Sequence, residues 1–323
     1  MKKTAFLFPG QGSQYVGMGR DLYLKRSEVK KIFDTASAIT GLDLASLCFD
    51  GPLERLTETV NVQPAITAVN LSCLAVLQEN GLAPDLVAGH SLGEYSALYA
   101  AGVIGLADAF RLVAERGRLM QQEAEKNPGG MIAVIGLDID VIKGLVEDFQ
   151  GTGVGVVSIA NHNTHEQIVL TGQKEALNKL SAKVSAGGGK AIPLKVSGPW
   201  HSPLLKDAVN DYKEFMKGIT FHNPSVPVLF NVTADFAEEP GEIRKIMSRQ
   251  ICSPVLWYDI MQKMLAGGVS IFVEAGPKKV LSGLLKKTLP ADDRFEIYQA
   301  DDLEGLLAVA ERLAGNRKLI ADS

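Results

Sequence analysis

The chain has 323 residues, 46% hydrophobic and 22% charged, which is an ordinary composition for a globular enzyme with one large domain, or a large domain carrying a smaller one. Its 33 basic and 37 acidic residues give a net charge of −4, which argues against a protein that mainly binds nucleic acid. The three cysteines are far apart and form no CxxC pair, so neither a disulfide scaffold nor a zinc site is expected.

The N-terminal residues do not follow the pattern of a secreted protein. Met1 is followed by two lysines, but the apolar run after them ends at Pro9 and Gly10, which is too short for the core of a signal peptide. The uncharged run at residues 95–107 is shorter than the roughly 18 residues that a membrane span needs. We therefore expect a cytoplasmic protein that has no membrane partner.

Strand and helix patterns alternate along most of the chain, which is typical of an α/β protein. Short apolar runs that end in turns predict strands at residues 4–8 and 85–89, and later at 270–274 and 295–299. Longer apolar stretches predict helices at residues 63–80, 91–101 and 106–126, and a closing helix at 303–313. The sequence NPGG at 127–130 breaks the third of these helices.

The middle of the chain has its own order of elements. Its patterns predict a strand, a helix, two strands, a helix and a strand, at residues 131–137, 138–149, 154–160, 167–171, 174–185 and 190–196. That order is the ferredoxin-like split βαβ arrangement. We predict a ferredoxin-like small domain at residues 129–196, inserted into a larger discontinuous domain made of residues 1–128 and 197–323.

Residues 89–93 read GHSLG, which matches the G-x-S-x-G pattern of a nucleophilic serine. The pattern falls between a predicted strand and a predicted helix, where a tight elbow would strain the backbone of Ser91 and expose its hydroxyl. The start of the helix would also point N–H groups at the same place. An ordinary glycine-rich turn is the alternative, but the position of the pattern favours a nucleophile.

A serine nucleophile needs a base, and the chain has five histidines. The first is adjacent to Ser91 and would point away from it, and the last lies in a predicted loop. The second and third form an H-x-x-H pair, which could ligate a metal but fits a polar turn between two strands better. His201 lies where the chain leaves the predicted small domain, and a cleft between domains is a natural active site. It is therefore the leading candidate.

The turn after the first predicted strand reads PGQGSQ at residues 9–14. It is not a dinucleotide fingerprint, because Tyr15 occupies the third glycine position, and it is not a phosphate loop, because Met18 replaces the lysine. A glycine-rich turn can still present free backbone N–H groups, which an oxyanion hole requires. A plain turn is the alternative.

Motifs spread over nearly the whole chain carry a resemblance to a known family. They are PGQGSQ at 9–14, GHSLGE at 89–94, Arg116-Gly117, His201 and Arg249-Gln250. In this order they resemble the malonyl-CoA:acyl carrier protein transacylases, and similar acyltransferase domains occur in polyketide and fatty acid synthases. The resemblance implies an α/β-hydrolase-like large domain that carries the ferredoxin-like insertion.

The resemblance also implies roles for individual residues. Ser91 would carry the acyl group, and His201 would act as general base and acid. The backbone N–H groups of Gln11 and Leu92 would form the oxyanion hole. Gln250 would orient His201 through its backbone carbonyl, so that the catalytic group is a dyad rather than a triad.

Two further residues would select the acyl group. Arg116 would bind the malonyl carboxylate, although on the residues alone Arg111 and Arg118 of the same predicted helix are equal candidates. Trp200 stands before His201, where relatives often carry serine or phenylalanine. In related domains this segment lines the acyl pocket, so a bulky Trp200 should favour malonyl over the branched methylmalonyl group.

The implied reaction has two halves, in which Ser91 takes malonyl from malonyl-CoA and then passes it to the pantetheine thiol of an acyl carrier protein. The reaction would serve fatty acid or polyketide synthesis and would need no metal or redox cofactor. Carrier proteins of this kind are acidic, as is this chain, so docking needs a local basic patch. Lys278-Lys279 and Lys286-Lys287 are the candidates, and a solvated helix face is the alternative.

Three other functions share some of these features. A serine hydrolase acting on acyl carrier thioesters has the same elbow, but it usually has an acidic residue ahead of its histidine, which the sequence does not identify. The malonyl-transfer subunit of a malonate decarboxylase would use a different carrier. A non-catalytic carrier-binding module would not require both Ser91 and His201.

Overall fold

The computed structural model describes residues 2–151, 153–290 and 294–321, with side chains described as far as residue 314, so both ends of the predicted large domain lie outside the described residues. The strands are β1 (Lys3–Phe8), β2 (Leu86–Gly89), β3 (Gly130–Ile135), β4 (Val157–Thr164), β5 (Gln167–Gly172), β6 (Lys190–Pro193), β7 (Val228–Leu229), β8 (Val269–Ala275) and β9 (Glu296–Ala300). The α-helices are α1 (Arg20–Lys25), α2 (Ser27–Thr40), α3 (Leu44–Asp50), α4 (Leu53–Thr57), α5 (Thr59–Glu79), α6 (Gly93–Ala100), α7 (Leu106–Lys126), α8 (Ile139–Gln150), α9 (Lys174–Ala186), α10 (Asp207–Phe215), α11 (Pro240–Arg249), α12 (Trp257–Ala266), α13 (Val280–Thr288) and α14 (Leu303–Ala321). Short 3₁₀-helices lie at Pro203–Leu205, Met216–Gly218 and Gln250–Cys252.

Five strands form a parallel sheet in the order β7-β2-β1-β8-β9. The strands β1 and β2 are neighbours, and their last residues, Phe8 and Gly89, are partners across the ladder. Because both strands run in the same direction, the turns that follow them leave the sheet at the same edge. This carboxyl edge is where open α/β sheets bind their ligands. The sheet therefore brings the glycine-rich turn at 9–14 next to the GHSLG sequence.

The other four strands form an antiparallel sheet in the order β4-β5-β3-β6. Helices α8 and α9 pack against it and enclose a separate core that includes Ile132, Phe149 and Leu180. This strand order belongs to the ferredoxin-like arrangement. The predicted fold class, an α/β-hydrolase-like large part with a ferredoxin-like insertion, is confirmed. The exact boundaries at 129 and 196 stay a prediction.

Several predicted ends of elements are wrong, and the cause is local backbone geometry. Strand β6 ends at Pro193 rather than at 196, because the chain turns just after it: the N–H of Leu194 still donates to the carbonyl of Met131, but the N–H of Val196 donates back to the carbonyl of Leu194. Strand β4 begins at Val157 rather than at 154, because Gly153 and Gly155 before it have φ angles of 68° and 149° and turn the chain. Hydrophobic patterning predicts which face of a strand is buried, but it does not predict where such turns end the strand.

Helix α5 runs through the main core, where it packs against α2, α6 and α7. It is uncharged from residue 59 to residue 78, a longer run than residues 95–107. By length and composition it could cross a membrane, but 89% of its most apolar window is buried inside the protein. Helix α5 is therefore a core helix, whose apolar faces are all covered by the chain itself.

Candidate active site

Ser91 lies on a sharp turn between β2 and α6. Its φ of 51° is in the left-handed region, which is strained for a residue with a side chain. A Cβ on Gly89 would lie 2.0 Å from the carbonyl of Gly93, and a Cβ on Gly93 would lie 1.9 Å from the carbonyl oxygen of Phe8. Both glycines are therefore required by close backbone approach. The same strain makes α6 begin at Gly93 and not at 91 as predicted.

The side chain of Asn231 clamps this elbow. Its Oδ1 accepts a hydrogen bond from the backbone N–H of Ser91 at 2.6 Å, and its Nδ2 donates to the carbonyl of Gly89 at 2.7 Å. The backbone N–H of Asn231 in turn donates to the carboxylate of Glu94 at 2.6 Å. Both Asn231 and Glu94 are fully buried. Two buried polar residues thus hold the strained turn in place.

Sequence reasoning assigned no role to either residue, although each left a signal. Glu94 is the one charged residue between positions 92 and 107, an otherwise apolar and small-residue run. A lone carboxylate in a buried helix needs hydrogen-bonding partners. Asn231 follows the short buried strand β7 at the carboxyl edge of the sheet. Neither signal identifies the hydrogen-bonding partner, because Glu94 and Asn231 are far apart in the sequence.

Ser91 and His201 are brought together although they are 110 residues apart: Oγ of Ser91 lies 2.7 Å from Nε2 of His201. The other ring nitrogen, Nδ1, lies 3.1 Å from the carbonyl oxygen of Gln250 and 3.0 Å from that of Ser253. Carbonyl oxygens only accept hydrogen bonds, so the proton resides on Nδ1 and the lone pair of Nε2 faces the serine hydroxyl. The contact with Ser253 was not predicted.

The imidazole of His201 is buried, with 3% of the residue exposed. This burial, followed by the positive charge of Arg116, lowers the pKa of His201 to about 3. The two carbonyl acceptors on Nδ1 act in the opposite direction and do not outweigh the burial. His201 is therefore neutral at pH 7, and a neutral imidazole with a free Nε2 can accept the proton of Ser91.

The guanidinium of Arg116, on α7, is the third group at the serine. Nη2 donates to Oγ of Ser91 at 3.0 Å, Nη1 to Oε1 of Gln63 at 2.9 Å, and Nε to Oε1 of Gln250 at 3.1 Å. Arg116 is 1% exposed, and none of these three partners is a carboxylate. Among the residues that the structure describes, no carboxylate forms a direct ion pair with this buried cation. Such a group attracts an anionic ligand.

The structure separates Arg116 from the two arginines that the sequence left as equal candidates. Arg111 and Arg118 are exposed and form ion pairs with Asp108 and Glu115 on the outer face of α7. A signal for the difference was present in the sequence, because Arg116 keeps helical spacing with the buried residues of α7. Those residues include Ala109, Leu112, Val113, Leu119, Met120 and Ala124.

The predicted oxyanion donors lie where the two turns meet. A Cβ on Gly10 would lie 2.4 Å from the carbonyl oxygen of His90 and 3.5 Å from the backbone nitrogen of Leu92, so the two turns are in direct contact. The N–H of Ser91 is already bonded to a side chain. In the part of the chain that the structure describes, the N–H groups of Gln11 and Leu92 have no protein acceptor.

Trp200 is buried, with 4% exposed, and packs into the main core. A Cβ on Gly198 would lie 2.5 Å from the Trp200 ring and 2.6 Å from the Cβ of Ala124, so the far edge of the ring lies against the end of α7. Ala124 is eight residues beyond Arg116, about 12 Å along the helix at ~1.5 Å per residue. The role of Trp200 in the acyl pocket stays a prediction.

The remaining histidines lie elsewhere. His90 makes a 2.8 Å hydrogen bond to Asn163 and packs its ring against Trp257. Its side chain is held by these contacts and does not face the hydroxyl of Ser91. His162 lies in β4, and His165 lies in the turn that follows it. Across residues 2–151, 153–290 and 294–321, no three His, Cys, Asp or Glu side chains are arranged to hold a metal ion.

Both predicted basic pairs are exposed. Nζ of Lys278 lies 3.4 Å from the carbonyl oxygen of Gly12, and the backbone N–H of Lys278 donates to Asp301. The first pair therefore borders the glycine-rich turn that carries Gln11. The second pair lies in the last turn of α13.

A strained serine, a neutral histidine and a buried arginine at the carboxyl edge of a parallel sheet suit an acyl transferase, and the chain belongs to the acyl transferase family. The acyl transferase domain matches residues 5–303. Within it, the chain belongs to the malonyl CoA-acyl carrier protein transacylases, and the family predicted from the motifs is confirmed.

Known proteins support this membership over nearly the full length. The malonyl CoA-acyl carrier protein transacylase of Bacillus subtilis is 42% identical over 89% of this chain and 90% of its own. The structure of an acyl carrier protein S-malonyltransferase from Vibrio cholerae has a TM-score of 0.90 at 40% identity and covers 95% of this chain and 100% of that one. A malonyl-transacylase solved with a type II PKS acyl-carrier protein has a TM-score of 0.91 at 37% identity, with 96% and 100% covered.

Proposed function

We propose that this protein moves the malonyl group from malonyl-CoA to the phosphopantetheine thiol of an acyl carrier protein, through a malonyl ester on Ser91. The observation that carries the proposal is the fully buried guanidinium of Arg116 at 3.0 Å from Oγ of Ser91. A buried cation beside a nucleophile favours acyl groups that carry a carboxylate, and a guanidinium can meet one with two parallel hydrogen bonds. The names of the relatives support the same substrate and carrier.

In the first half of the reaction, Oγ of Ser91 attacks the thioester carbonyl while Nε2 of His201 takes the hydroxyl proton. The negative charge that develops on the carbonyl oxygen is stabilised by the N–H groups of Gln11 and Leu92. The C–S bond then breaks, and His201 returns the proton to the departing sulfur of CoA. The malonyl group is left as an ester on Ser91.

In the second half, the thiol of the carrier protein attacks this ester, and His201 takes its proton. The C–O bond breaks, and the proton passes to Oγ, which regenerates Ser91. The ring of His201 is held by the carbonyls of Gln250 and Ser253, so the pair acts without a carboxylate partner. This arrangement differs from the acidic triad usual in the hydrolases that were considered as an alternative.

We expect Arg116→Ala to lose much of its malonyl transfer and to gain activity with acetyl-CoA relative to malonyl-CoA. A charge-assisted hydrogen bond is worth about 1.5–3 kcal/mol, or roughly one to two decades in rate. The relative gain follows because a neutral acyl group no longer leaves a buried guanidinium without an anionic partner. The measurement is kcat/KM for both donors with one carrier protein.

Arg111→Ala and Arg118→Ala are the matched controls, because each removes an arginine from the outer face of the same helix. Both should keep the wild-type ratio of malonyl to acetyl transfer. If Arg116→Ala lowers both transfers equally, the arginine is structural and the proposed selection of a carboxylated acyl group is contradicted.

We expect Trp200→Ser to raise methylmalonyl transfer relative to malonyl, because the smaller side chain should free space beside the acyl α-carbon. Emptying a buried tryptophan site should also cost about 3–5 kcal/mol of stability. Trp200→Phe, which keeps most of the ring volume, is the control for that loss. Comparison of the two kcat/KM ratios in folded protein is the test, and an unchanged ratio in both variants would make Trp200 a core residue only.

The proposal also covers the docking surface for the carrier protein and the location of the protein in the cell. Docking of an acidic carrier protein at Lys278 and Lys279 is supported by the contact of Lys278 with the turn that carries Gln11. A cytoplasmic location is supported by the free cysteines, which suit a reducing compartment.

A further inference from the structure

Glu94 is a buried carboxylate to which the proposed mechanism gives no task. It lies in the first turn of α6 and has no exposed surface. One oxygen accepts the backbone N–H of Asn231, and the other accepts Nε2 of Gln250 at 2.5 Å. Burial raises the pKa of Glu94 to about 7, while these two donors and the charge of Arg116 favour its ionised form. Both of its oxygens meet N–H donors, which suits a carboxylate that is held in the core for its two acceptors.

The direction of each hydrogen bond in this cluster is set by chemistry. A carboxylate only accepts, and a guanidinium only donates. The side-chain amide of Gln250 lies between them: its nitrogen donates to Glu94 and to the carbonyl of Ser91, and its oxygen accepts from Nε of Arg116. If this amide were rotated by half a turn, its NH₂ would face the N–H of Arg116 and its oxygen would face the carboxylate. Glu94 and the carbonyl of Ser91 therefore both hold the NH₂ end of the amide, so that its oxygen meets the arginine.

The orientation of Arg116 depends on that contact. Its Nε is held by Gln250 and its Nη1 by Gln63, which leaves Nη2 directed at Oγ of Ser91. The oxygen of Gln63 is a second fixed acceptor, so the plane of the guanidinium is set by two amide oxygens. Loss of either would let the plane rotate and would misplace the donors that meet a carboxylate.

We propose that Glu94 is a positioning residue for acyl-group selection: together with the carbonyl of Ser91 it fixes the amide of Gln250, and through it the guanidinium of Arg116, in the orientation that accepts a carboxylated acyl group. This inference rests on the proposed function. It adds Glu94 as a residue that orients the guanidinium of Arg116. The charge of Arg116, across the amide, favours the ionised form of Glu94. Asn231 links the same carboxylate to the elbow that holds Ser91.

Glu94→Gln is the decisive change because it keeps the size of the side chain and replaces one acceptor with a donor. The new amide has a single oxygen for the two donors of Asn231 and Gln250, so one donor must face another. We expect kcat/KM with malonyl-CoA to fall about tenfold to a hundredfold and acetyl transfer to fall less. The ratio of malonyl to acetyl transfer should therefore drop.

A double-mutant cycle with Arg116→Ala separates positioning from a general structural defect. If Glu94 acts through the arginine, Glu94→Gln should not change the malonyl-to-acetyl ratio further once Arg116 is absent. Glu274→Gln is the matched control, since Glu274 is another buried carboxylate that accepts two N–H groups, at the start of α13. It should lose stability in a thermal melt and keep the wild-type ratio.

The outcomes are distinct. If Glu94→Gln lowers the ratio equally in both backgrounds, or lowers both transfers equally while folded, the positioning role is overturned. If Glu94→Gln does not fold, Glu94→Asp replaces it in the same double-mutant cycle. Aspartate keeps two acceptor oxygens, but its side chain is one methylene shorter, so the oxygens lie farther from their donors. Absence of a malonyl adduct on wild-type Ser91 would instead contradict the proposed function, and with it this inference, whereas a normal adduct with an unchanged ratio in Glu94→Gln contradicts the inference alone.

Discussion

Intact-protein mass spectrometry after mixing with malonyl-CoA is expected to show one malonyl group on the wild-type protein and none on Ser91→Ala. The hydroxyl of Ser91 is the group that faces both a neutral imidazole and the arginine, and alanine removes the attacking oxygen. Transfer to the carrier protein should fall by several decades, leaving only what binding and the oxyanion donors supply. Peptide mapping then checks that the adduct is on residue 91.

The cysteines are the competing nucleophiles in this experiment. Burial raises the pKa of Cys48 to about 12 and that of Cys73 well above its ordinary value, and it also raises the pKa of the partly buried Cys252. A thiol with a raised pKa stays protonated and reacts slowly. Ser96→Ala, which removes a buried hydroxyl farther along α6, is the control and should keep the adduct. A malonyl group found on a cysteine would refute the serine mechanism.

His201→Ala is expected to slow acylation of Ser91 by about 10²–10⁴, because a positioned general base contributes that much. The variant should still fold, although the carbonyls of Gln250 and Ser253 lose the N–H that now lies between them. Some loss in the thermal midpoint is therefore expected alongside the loss of rate. Single-turnover formation of the malonyl adduct measures the step directly.

His90→Ala is the matched control for this result. His90 is adjacent to the nucleophile in the chain, but its ring is bonded to Asn163. Its removal should change the acylation rate far less than the removal of His201. Near-normal acylation in His201→Ala would mean that another group takes the proton of Ser91.

Much of the fold was predictable because local patterns report it. Each strand of the parallel sheet with at least four residues, and the strand order of the small sheet, followed from apolar runs, glycine breaks and the βαββαβ sequence of elements. The two-residue strand β7 is too short for any periodicity to reveal. The start of α6 was missed for a different reason, since the φ of Ser91 depends on the packing of Gly93 against β1.

By itself the sequence determined the α/β class, the ferredoxin-like insertion, the serine of the elbow and the family. Each of these follows either from residues that are close together in the chain or from motifs that occur in a fixed order. Only the tertiary structure decided that Nε2 of His201 meets Ser91, that the guanidinium of Arg116 reaches Oγ of the same serine, and that Glu94, Asn231 and Gln250 form one network. These contacts join residues 25 to 156 positions apart. The register of the parallel strands and the packing of α7 on the core bring these distant residues together. No local sequence pattern predicts that register or where α7 packs.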